Sequence, residues 1–233
     1  GARGKDRGAY QCHERQKVTS SALRMWTGVL GILLSASAFA RPVSYTGGWT
    51  LIQTANRAST AGLLHYSVSH KVSVGVRHEW QRDDDVTLTV IQPTWLAKRW
   101  YGHNYQANVY LTGGLGTATD RSVAGLGSDT ASFVGVMTDW ETRTLFVSYE
   151  ARFLEQGKLG NHSMHAARVG WAPYTGDTGE LHTWLMLEVD HRKHFDNKTT
   201  VTPLLRFFKG PALFEAGYNI TDSAPMFNFT YRF

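Results

Sequence analysis

Long hydrophobic runs are nearly absent from the sequence. The one long run, MWTGVLGILLSASAFA at Met25–Ala40, has sixteen residues, fewer than the ~20 that a membrane-spanning helix needs. It follows Arg24 and ends in a small-x-small pattern, Ala38-Phe39-Ala40, which is typical of a secretory signal peptide. We therefore interpret residues 18–40 as a signal peptide, with a membrane anchor as the alternative. Residues 41–233 are then the exported domain.

Residues 41–233 contain no cysteine and carry almost no net charge. Residues 1–17 are polar and basic, and we expect them to be a non-native or upstream-translated segment, with translation starting at Val18. The single cysteine, Cys12, lies there, so the exported domain cannot rely on disulfides. Residues 1–40 contain six Lys/Arg and two Asp/Glu, which leaves 18 basic and 17 acidic residues beyond them. This balance excludes the basic surface of a nucleic-acid-binding protein.

Helical periodicity is missing after residue 40, and alternation with a period of two replaces it. The segment LHTWLMLEVD, for example, places Leu185, Leu187 and Val189 opposite Glu188 and Asp190. Most of the segments are longer than ordinary strands and match the ~9–11 residues that cross a bilayer in a tilted strand. The pattern predicts twelve strands, near residues 47–56, 61–69, 71–81, 85–95, 104–116, 130–139, 142–153, 162–173, 180–192, 198–209, 211–220 and 225–233.

The connections between these strands differ in length. Those after the second, sixth and tenth strands are very tight, whereas the longest, RSVAGLGSDT at 121–130, follows the fifth strand. Bacterial outer-membrane barrels have an even number of strands, short periplasmic turns and longer external loops. We therefore predict an all-β fold, a single antiparallel transmembrane β-barrel of twelve strands (range 10–14), which starts and ends on the periplasmic side.

The tryptophans favour the same fold. Trp49, Trp95, Trp100, Trp140 and Trp171 fall near predicted periplasmic strand ends, and Trp80 falls near an external end. Trp and Tyr concentrate at the two interfaces of a bilayer. A soluble β-sandwich with a core of aromatic residues is the alternative, but it does not explain strand length, leader and turn pattern together.

The last seven residues, FNFTYRF, alternate aromatic and polar side chains. This segment resembles the closing strand of bacterial outer-membrane barrels. The resemblance implies that the barrel assembly machinery recognises Phe227, Phe229, Tyr231 and Phe233. The stretches LHTWLMLEVDH and TPLLRFFKGPALFEAGYN resemble an uncharacterised family of proteobacterial outer-membrane barrels. That family implies a Gram-negative outer-membrane location but no activity.

If the apolar face of each strand meets lipid, the other face lines the lumen. By alternation, five acids and five arginines fall on that second face. They are Arg77, Glu79, Glu150, Arg152, Arg168, Glu188, Asp190, Arg206, Glu215 and Arg232. These charges predict either a narrow polar pore or a lumen closed by arginine–carboxylate pairs. Twelve strands lie between the filled small barrels and the open channels of 16–18 strands, so both interpretations stand.

Two short histidine clusters lie near predicted external loops. Imidazoles can bind transition metals, which makes His162, His165, His191 and His194 weak candidates for ligands. Residues three apart in a strand point to opposite faces, however, so only a loop would gather them. Solvated histidines are the simpler interpretation, and we predict no metal and no cofactor. The Asp83–Asp85 run is a weaker candidate for calcium or for a divalent bridge to lipopolysaccharide.

Three functional hypotheses follow. The leading one is a porin-like, narrow passive channel for small polar solutes or ions. The second is a structural or binding barrel with a salt-bridged lumen, and the third is a lipid-modifying enzyme. An enzyme needs a nucleophile, a base and an orienting group, for which Ser148, His182 and Glu188 are the nameable residues, on different strands. The expected partners are outer-membrane lipids, lipopolysaccharide and the assembly machinery, and the sequence does not predict an oligomeric state.

Overall fold

The computed structural model describes residues 42–122, 125–177, 179–193 and 197–233. The segments interpreted as upstream residues and signal peptide, 1–17 and 18–40, lie outside the described residues. The strands are β1 (Trp49–Ala55), β2 (Ser59–Ser67), β3 (Val72–Gln81), β4 (Val86–Tyr101), β5 (Gln106–Asp120), β6 (Ser128–Glu141), β7 (Leu145–Glu155), β8 (Asn161–Trp171), β9 (His182–Lys193), β10 (Asn197–Lys209), β11 (Ala212–Asn219) and β12 (Ala224–Arg232). A 3₁₀ turn (Gly157–Leu159) separates β7 from β8. Among the described residues, no helix has the length and hydropathy of a membrane-spanning helix.

These strands form one closed antiparallel barrel. Each strand pairs with its neighbour in the sequence, and β1 pairs with β12 to close the sheet, with Thr50 opposite Arg232 and Ala55 opposite Phe227. Closure leaves no strand edge, so the backbone hydrogen bonds are satisfied between strands. The predicted twelve-stranded barrel is confirmed, and the two packed sheets of a sandwich are not formed.

Alternation along each strand separates an inner face from an outer one. In β9, Leu185, Leu187 and Val189 are exposed on the outside, whereas Met186 and Glu188 are buried on the inside. The same pattern holds in β3, where Val74 and Val76 face outward. The outer face is therefore apolar and the inner face carries most of the charge.

The strands are unequal in length, which the sequence did not predict. β4, β5 and β6 have 16, 15 and 14 residues, whereas β1 has 7 and β11 has 8. The predicted strands near 85–95, 104–116 and 130–139 were too short. Pairing continues through polar residues, since Thr117 and Thr119 lie opposite Thr130 and Ser128. One side of the barrel wall is therefore taller than the other.

The same pairing corrects the loop prediction. Because Ser128–Thr130 belongs to β6, the connection after β5 shrinks to residues 121–127. The longest connection is instead 172–181, the ten residues between β8 and β9. We call the end where β1 begins and β12 ends the proximal end, and the opposite end the distal end. The 172–181 connection lies at the proximal end, where only short turns were expected. Loop length therefore does not distinguish the two ends.

Exposed aromatic side chains concentrate at the proximal end. Trp49, Trp100, Trp140 and Trp171 lie at the proximal ends of their strands and are exposed. Trp95 is exposed further up β4, and Trp80 is exposed near the distal end of β3. Trp184, by contrast, is buried inside and packs edge-on against Phe146.

Candidate functional site: the barrel interior

The ten charged residues predicted for the lumen lie on the inward face of their strands. Most of them form two clusters of ion pairs, built around Glu79 and Glu215. Asp190 forms a smaller group with Arg192 and Thr200, at 2.7 and 2.9 Å. Eight of the ten charges thus lie in ion pairs inside the barrel.

The first cluster crosses the lumen. Arg152 of β7 donates two hydrogen bonds of 2.8 Å to the two carboxylate oxygens of Glu79 of β3. Arg77 donates a further bond of 2.7 Å from its Nε. Only 2% of Glu79 is exposed. A buried carboxylate needs such charge-assisted bonds, so this pair ties together two strands that have three other strands between them along the sheet.

Two further contacts follow the first toward the distal end. Gln156 Nε2 donates to Gln81 Oε1 at 3.1 Å, and His162 Nε2 lies 3.6 Å from Asp84 Oδ2. Both join the β3 side to the β7–β8 side. We call the three contacts, Glu79–Arg152, Gln81–Gln156 and Asp84–His162, the septum. It divides the distal half of the lumen into two compartments.

The compartment bounded by β4–β7 is filled with apolar side chains. Phe133 covers Gly114 so closely that a Cβ atom there would lie 2.1 Å from the ring. Leu159, from the 3₁₀ turn, closes the distal side of the cluster. The members are Val86, Leu88, Val90, Ala118, Ala131, Phe133, Leu154 and Leu159. The expectation that apolar faces meet lipid is therefore wrong for Val86, Leu88 and Val90. These side chains face inward and pack in the apolar cluster between the long strands.

The other compartment contains a polar cavity that opens at the distal end. Its volume is about 430 Å³. Glu79, Arg152 and Glu188 lie around its floor, with Met226, and Arg192 and Lys198 line its wall. We call it the distal cavity.

A second ion-pair cluster lies below this cavity. Arg168 binds Glu188 and also lies 3.2 Å from Glu215. Glu215 in turn accepts bonds of 2.6 Å from Arg206 and from Asn228 Nδ2. A smaller cavity of about 220 Å³, lined by Arg168, Arg206 and Glu215, lies on the proximal side. Among the described residues, the two cavities share no lining residue.

We call this second cluster, Arg168, Glu188, Arg206, Glu215 and Asn228, the charged layer. A cluster of buried apolar side chains accompanies the layer, and its Trp184 lies opposite Arg206. The members of the cluster are Ala172, Trp184, Met186, Leu204 and Met226. The Arg168–Glu188 pair marks the boundary, because Glu188 lines the distal cavity and Arg168 lines the proximal one.

The segment before β1 fills part of the proximal mouth. Val43 is only 4% exposed and packs against Leu96, Tyr110 and Met137 on the inner wall. The Ser73 hydroxyl donates to the Pro42 carbonyl at 3.1 Å. The proximal opening is therefore narrowed by the chain itself.

A further inward network was missed by the sequence interpretation. Arg99 Nε donates to Asn108 Oδ1, and Asn108 Nδ2 donates to Asp139 Oδ1, both at 2.6 Å. The register of β4 shifts between Leu96 and Lys98. This bulge changes which residues face inward, so Arg99 enters the lumen and Trp100 faces outward. Unbroken alternation would place them the other way round.

The histidine candidates do not converge. His165 and His191 lie opposite each other on the outer face, with ring centroids 6.5 Å apart. Each has a hydroxyl partner, Tyr149 at 2.8 Å and Thr199 at 2.9 Å. His162 faces inward, as its spacing of three from His165 dictates, and His194 lies outside the described residues. Within the described ranges, no three His, Cys, Asp or Glu side chains form a metal-binding group.

The acidic run and the residues named for an enzyme are also dispersed. Asp83 pairs with Arg57 at 3.4 Å, while Asp85 accepts a bond from the Trp80 indole at 2.9 Å. Ser148 of β7 and Glu188 of β9 both pair with Arg168 of β8, the strand between them. His182 is six residues from Glu188 on β9, about 20 Å along the strand. The structure does not bring Ser148, His182 and Glu188 together as a catalytic group.

The aromatic residues of the closing strand face outward in a row. Phe229 and Tyr231 stack at 6.4 Å, and Tyr231 meets Phe233 edge-on at 5.0 Å. The Phe233 N–H donates to the Trp49 carbonyl at 3.0 Å, and the Tyr45 hydroxyl donates to the Phe233 carbonyl. Phe227 and Phe233 are exposed. The row thus extends the aromatic surface of the proximal end.

Comparisons with known proteins give only similarities of fold. No family model matches the chain, and no curated protein matches its sequence. The KdgM porin in complex with disordered oligogalacturonate matches at TM-score 0.48 and 7% identity, over 80% of this chain and 98% of that one. The β domain of the Bordetella autotransporter BrkA matches at TM-score 0.46 and 11% identity, over 80% of this chain and 98% of that one. LpxR from Salmonella typhimurium matches at TM-score 0.45 and 9% identity, over 80% of this chain and 99% of that one.

Proposed function

We propose that this protein is a bacterial outer-membrane barrel with a closed lumen, a structural or binding barrel rather than an open channel. Support for the membrane location comes from the outer face. Exposed Leu, Val and Phe side chains form a band around the barrel, and exposed tryptophans gather at its proximal end. Water would disfavour so large an apolar surface, whereas lipid accommodates it. The proximal end then faces the periplasm.

The charged layer is the observation that carries the closed lumen. It lies between the distal and proximal cavities, and each of its carboxylates is bonded to arginine. The four charged side chains of this layer thus bind one another rather than passing solutes. Val43 adds a second obstruction at the proximal mouth.

Single-channel recording in a planar bilayer tests this function. We expect the wild-type barrel to show no steady conductance. The double variant Arg168→Ala, Glu188→Ala removes the pair between the cavities, so we expect it to show intermittent current. A matched variant, Lys209→Ala, changes an exposed charge at the proximal end of β10 and should stay silent. Steady wild-type current that changes when Arg206 or Glu188 is neutralised would instead support the narrow channel.

The closing strand supports a second part of the proposal, recognition by the barrel assembly machinery. Deleting Phe233, or replacing it with Asp, should reduce insertion far more than Ser128→Ala, which changes a distal exposed residue. Burial of one Phe is worth about 1.5–3 kcal/mol, so a severe defect would indicate recognition rather than lost packing. Inserted protein is measured by heat-modifiable migration on gels. Normal amounts in the Phe233 deletion would disprove the recognition.

The surrounding partners in this proposal are outer-membrane lipids and lipopolysaccharide, which would contact the apolar band. No described contact favours the lipid-modifying enzyme over the closed barrel, since His182 lies far from Ser148 and Glu188. Overexpression of an enzyme would alter lipid A or phospholipid, and the His182→Ala variant would not. That result would favour the enzyme over the closed barrel.

A further inference from the structure

We propose that a groove on the outer face of the barrel binds one zwitterionic phospholipid, a lipid whose headgroup carries a phosphate and an ammonium. The inference rests on the membrane location in the proposed function, because the groove faces the lipid. We call it the outer groove. It has a volume of about 990 Å³ and crosses the outer face from β4 to β9. Four side chains of its lining are more than half exposed on that face, namely Ile91, Leu115, Val134 and Phe153.

Two small residues form the floor of the outer groove. Gly113 of β5 lies opposite Val134, and Ser132 of β6 lies opposite Leu115. Apart from its chain neighbours, a Cβ atom added at Gly113 would have one atom of the described residues within 4 Å, the Phe133 carbonyl oxygen at 3.7 Å. The larger side chains around this floor leave a concave apolar strip. A lipid acyl chain makes more dispersion contacts in such a strip than against a flat wall.

The outer groove changes from apolar to polar along its length. On β4–β6 its outward side chains are mainly apolar, whereas on β7–β9 polar side chains follow Phe153. Phe153 and Ser163 lie two residues from the distal ends of β7 and β8, and Lys193 is the last residue of β9. One register row connects these positions across the wall, in the order Gly113, Val134, Phe153, Ser163 and Lys193. The polar part therefore lies at the distal rim of the apolar band, at the level of lipid headgroups.

Two charges of opposite sign, Glu155 and Lys193, lie in the polar part. They are on β7 and β9, on either side of β8, and these two strands are about 10 Å apart. Both side chains are exposed, and within the described ranges neither forms an ion pair. Lys193 offers a donor to a phosphate, and Glu155 offers an acceptor to an ammonium. A zwitterionic headgroup therefore matches both charges, whereas a purely anionic headgroup would leave Glu155 unmatched.

Native mass spectrometry of the folded protein in detergent tests this site by counting retained lipids. The probes are phosphatidylethanolamine and phosphatidylglycerol with identical acyl chains. Both carry a phosphate, and only the first carries an ammonium. We expect one retained phosphatidylethanolamine per chain and about three-fold less phosphatidylglycerol, which is the scale of one exposed charge pair. Equal retention of the two lipids, no retained lipid, or a dimer of the chain in place of the lipid complex would overturn the proposal.

A glycine variant locates the acyl chain. Gly113→Leu fills the floor of the outer groove, so we expect it to lower the retained lipid at least about ten-fold. Gly62→Leu is the matched control, because Gly62 faces outward on β2 and an added Cβ atom there has no atom of the described residues within 4 Å, apart from its chain neighbours. Heat-modifiable migration checks that both variants are folded. Wild-type retention in folded Gly113→Leu would overturn the site.

Two charge variants separate the contacts of the headgroup. Lys193→Met should lower the retention of both lipids, since both carry a phosphate. Glu155→Gln should remove the preference for phosphatidylethanolamine and leave phosphatidylglycerol unchanged. Lys209→Met changes a lysine at the proximal end of β10 and should alter neither lipid. An unchanged preference in folded Glu155→Gln would overturn the zwitterionic headgroup.

Flotation with phosphatidylglycerol vesicles tests the membrane location separately. The wild type and Gly113→Leu should both float, because the whole apolar band drives insertion. A wild-type chain that floats but retains no phosphatidylethanolamine would overturn the outer groove alone. A wild-type chain that does not float would overturn both the groove and the membrane location.

Discussion

The two compartments on either side of the septum fill the same barrel in different ways. The β4–β7 compartment includes the three longest strands, β4–β6, and is packed with apolar side chains. The compartment on the β8–β3 side belongs to shorter strands and holds ion pairs around a cavity. Apolar packing contributes stability directly, whereas a buried ion pair roughly offsets its own desolvation. One side therefore stabilises the barrel through apolar packing, whereas the other holds paired charges around a cavity.

The largest expected effect comes from the septum, where the two compartments meet. Glu79→Gln leaves Arg77 and Arg152 without their carboxylate in a buried position. Breaking a buried pair in this way costs about 3–5 kcal/mol. Glu155→Gln changes an exposed glutamate of β7 and should stay within about 0.5 kcal/mol. The measurement is the free energy of unfolding in denaturant from lipid vesicles. Similar values for both variants would show that the septum does not stabilise the barrel.

The apolar compartment should respond almost as strongly. Leu88 is fully buried, and Leu88→Ala leaves a cavity that costs about 2–5 kcal/mol. Thr89→Ala changes the neighbouring outward residue of β4 and serves as the control. The same unfolding measurement applies. A loss below about 1 kcal/mol in Leu88→Ala would mean that the tall wall does not depend on this packing.

The smallest expected effect on stability lies at the rim of the distal cavity. Lys198→Met removes an exposed ion pair with Asp222, and such pairs contribute about 0–1 kcal/mol. The variant should therefore unfold like the wild type. If the free energy of unfolding dropped by several kcal/mol, the rim would be part of the stabilising structure and the comparison would fail.

The fold could be predicted from the sequence because its main signal is local. Alternation in segments such as Leu185–Asp190 assigns each side chain to a face without knowledge of its partners. The pairing across the lumen is not local, since Glu79 and Arg152 are 73 residues apart. Which charges meet depends on how the closed sheet brings β3 near β7. Ten charges were assigned to the lumen from alternation, but the septum that they help to form was not foreseen.

Two features of β4 also concealed part of the interior. The bulge after Leu96 reverses the alternation in β4, so the segment Lys98–Tyr101 was not recognised as strand and Arg99 was missed. The inward Val86, Leu88 and Val90 alternate as regularly as an outward-facing strand. Period alone does not say which face is inside when the lumen has its own apolar core.

Thiol accessibility tests most directly whether the charged layer separates the two cavities. Thr202 lines the distal cavity and Ser148 lines the proximal one. In a Cys12→Ser background, Thr202→Cys and Ser148→Cys are each exposed to a membrane-impermeant thiol reagent outside intact cells. We expect Thr202→Cys to be labelled and Ser148→Cys to be protected until the cells are lysed. Labelling of both variants at similar rates in intact cells would contradict the closed lumen.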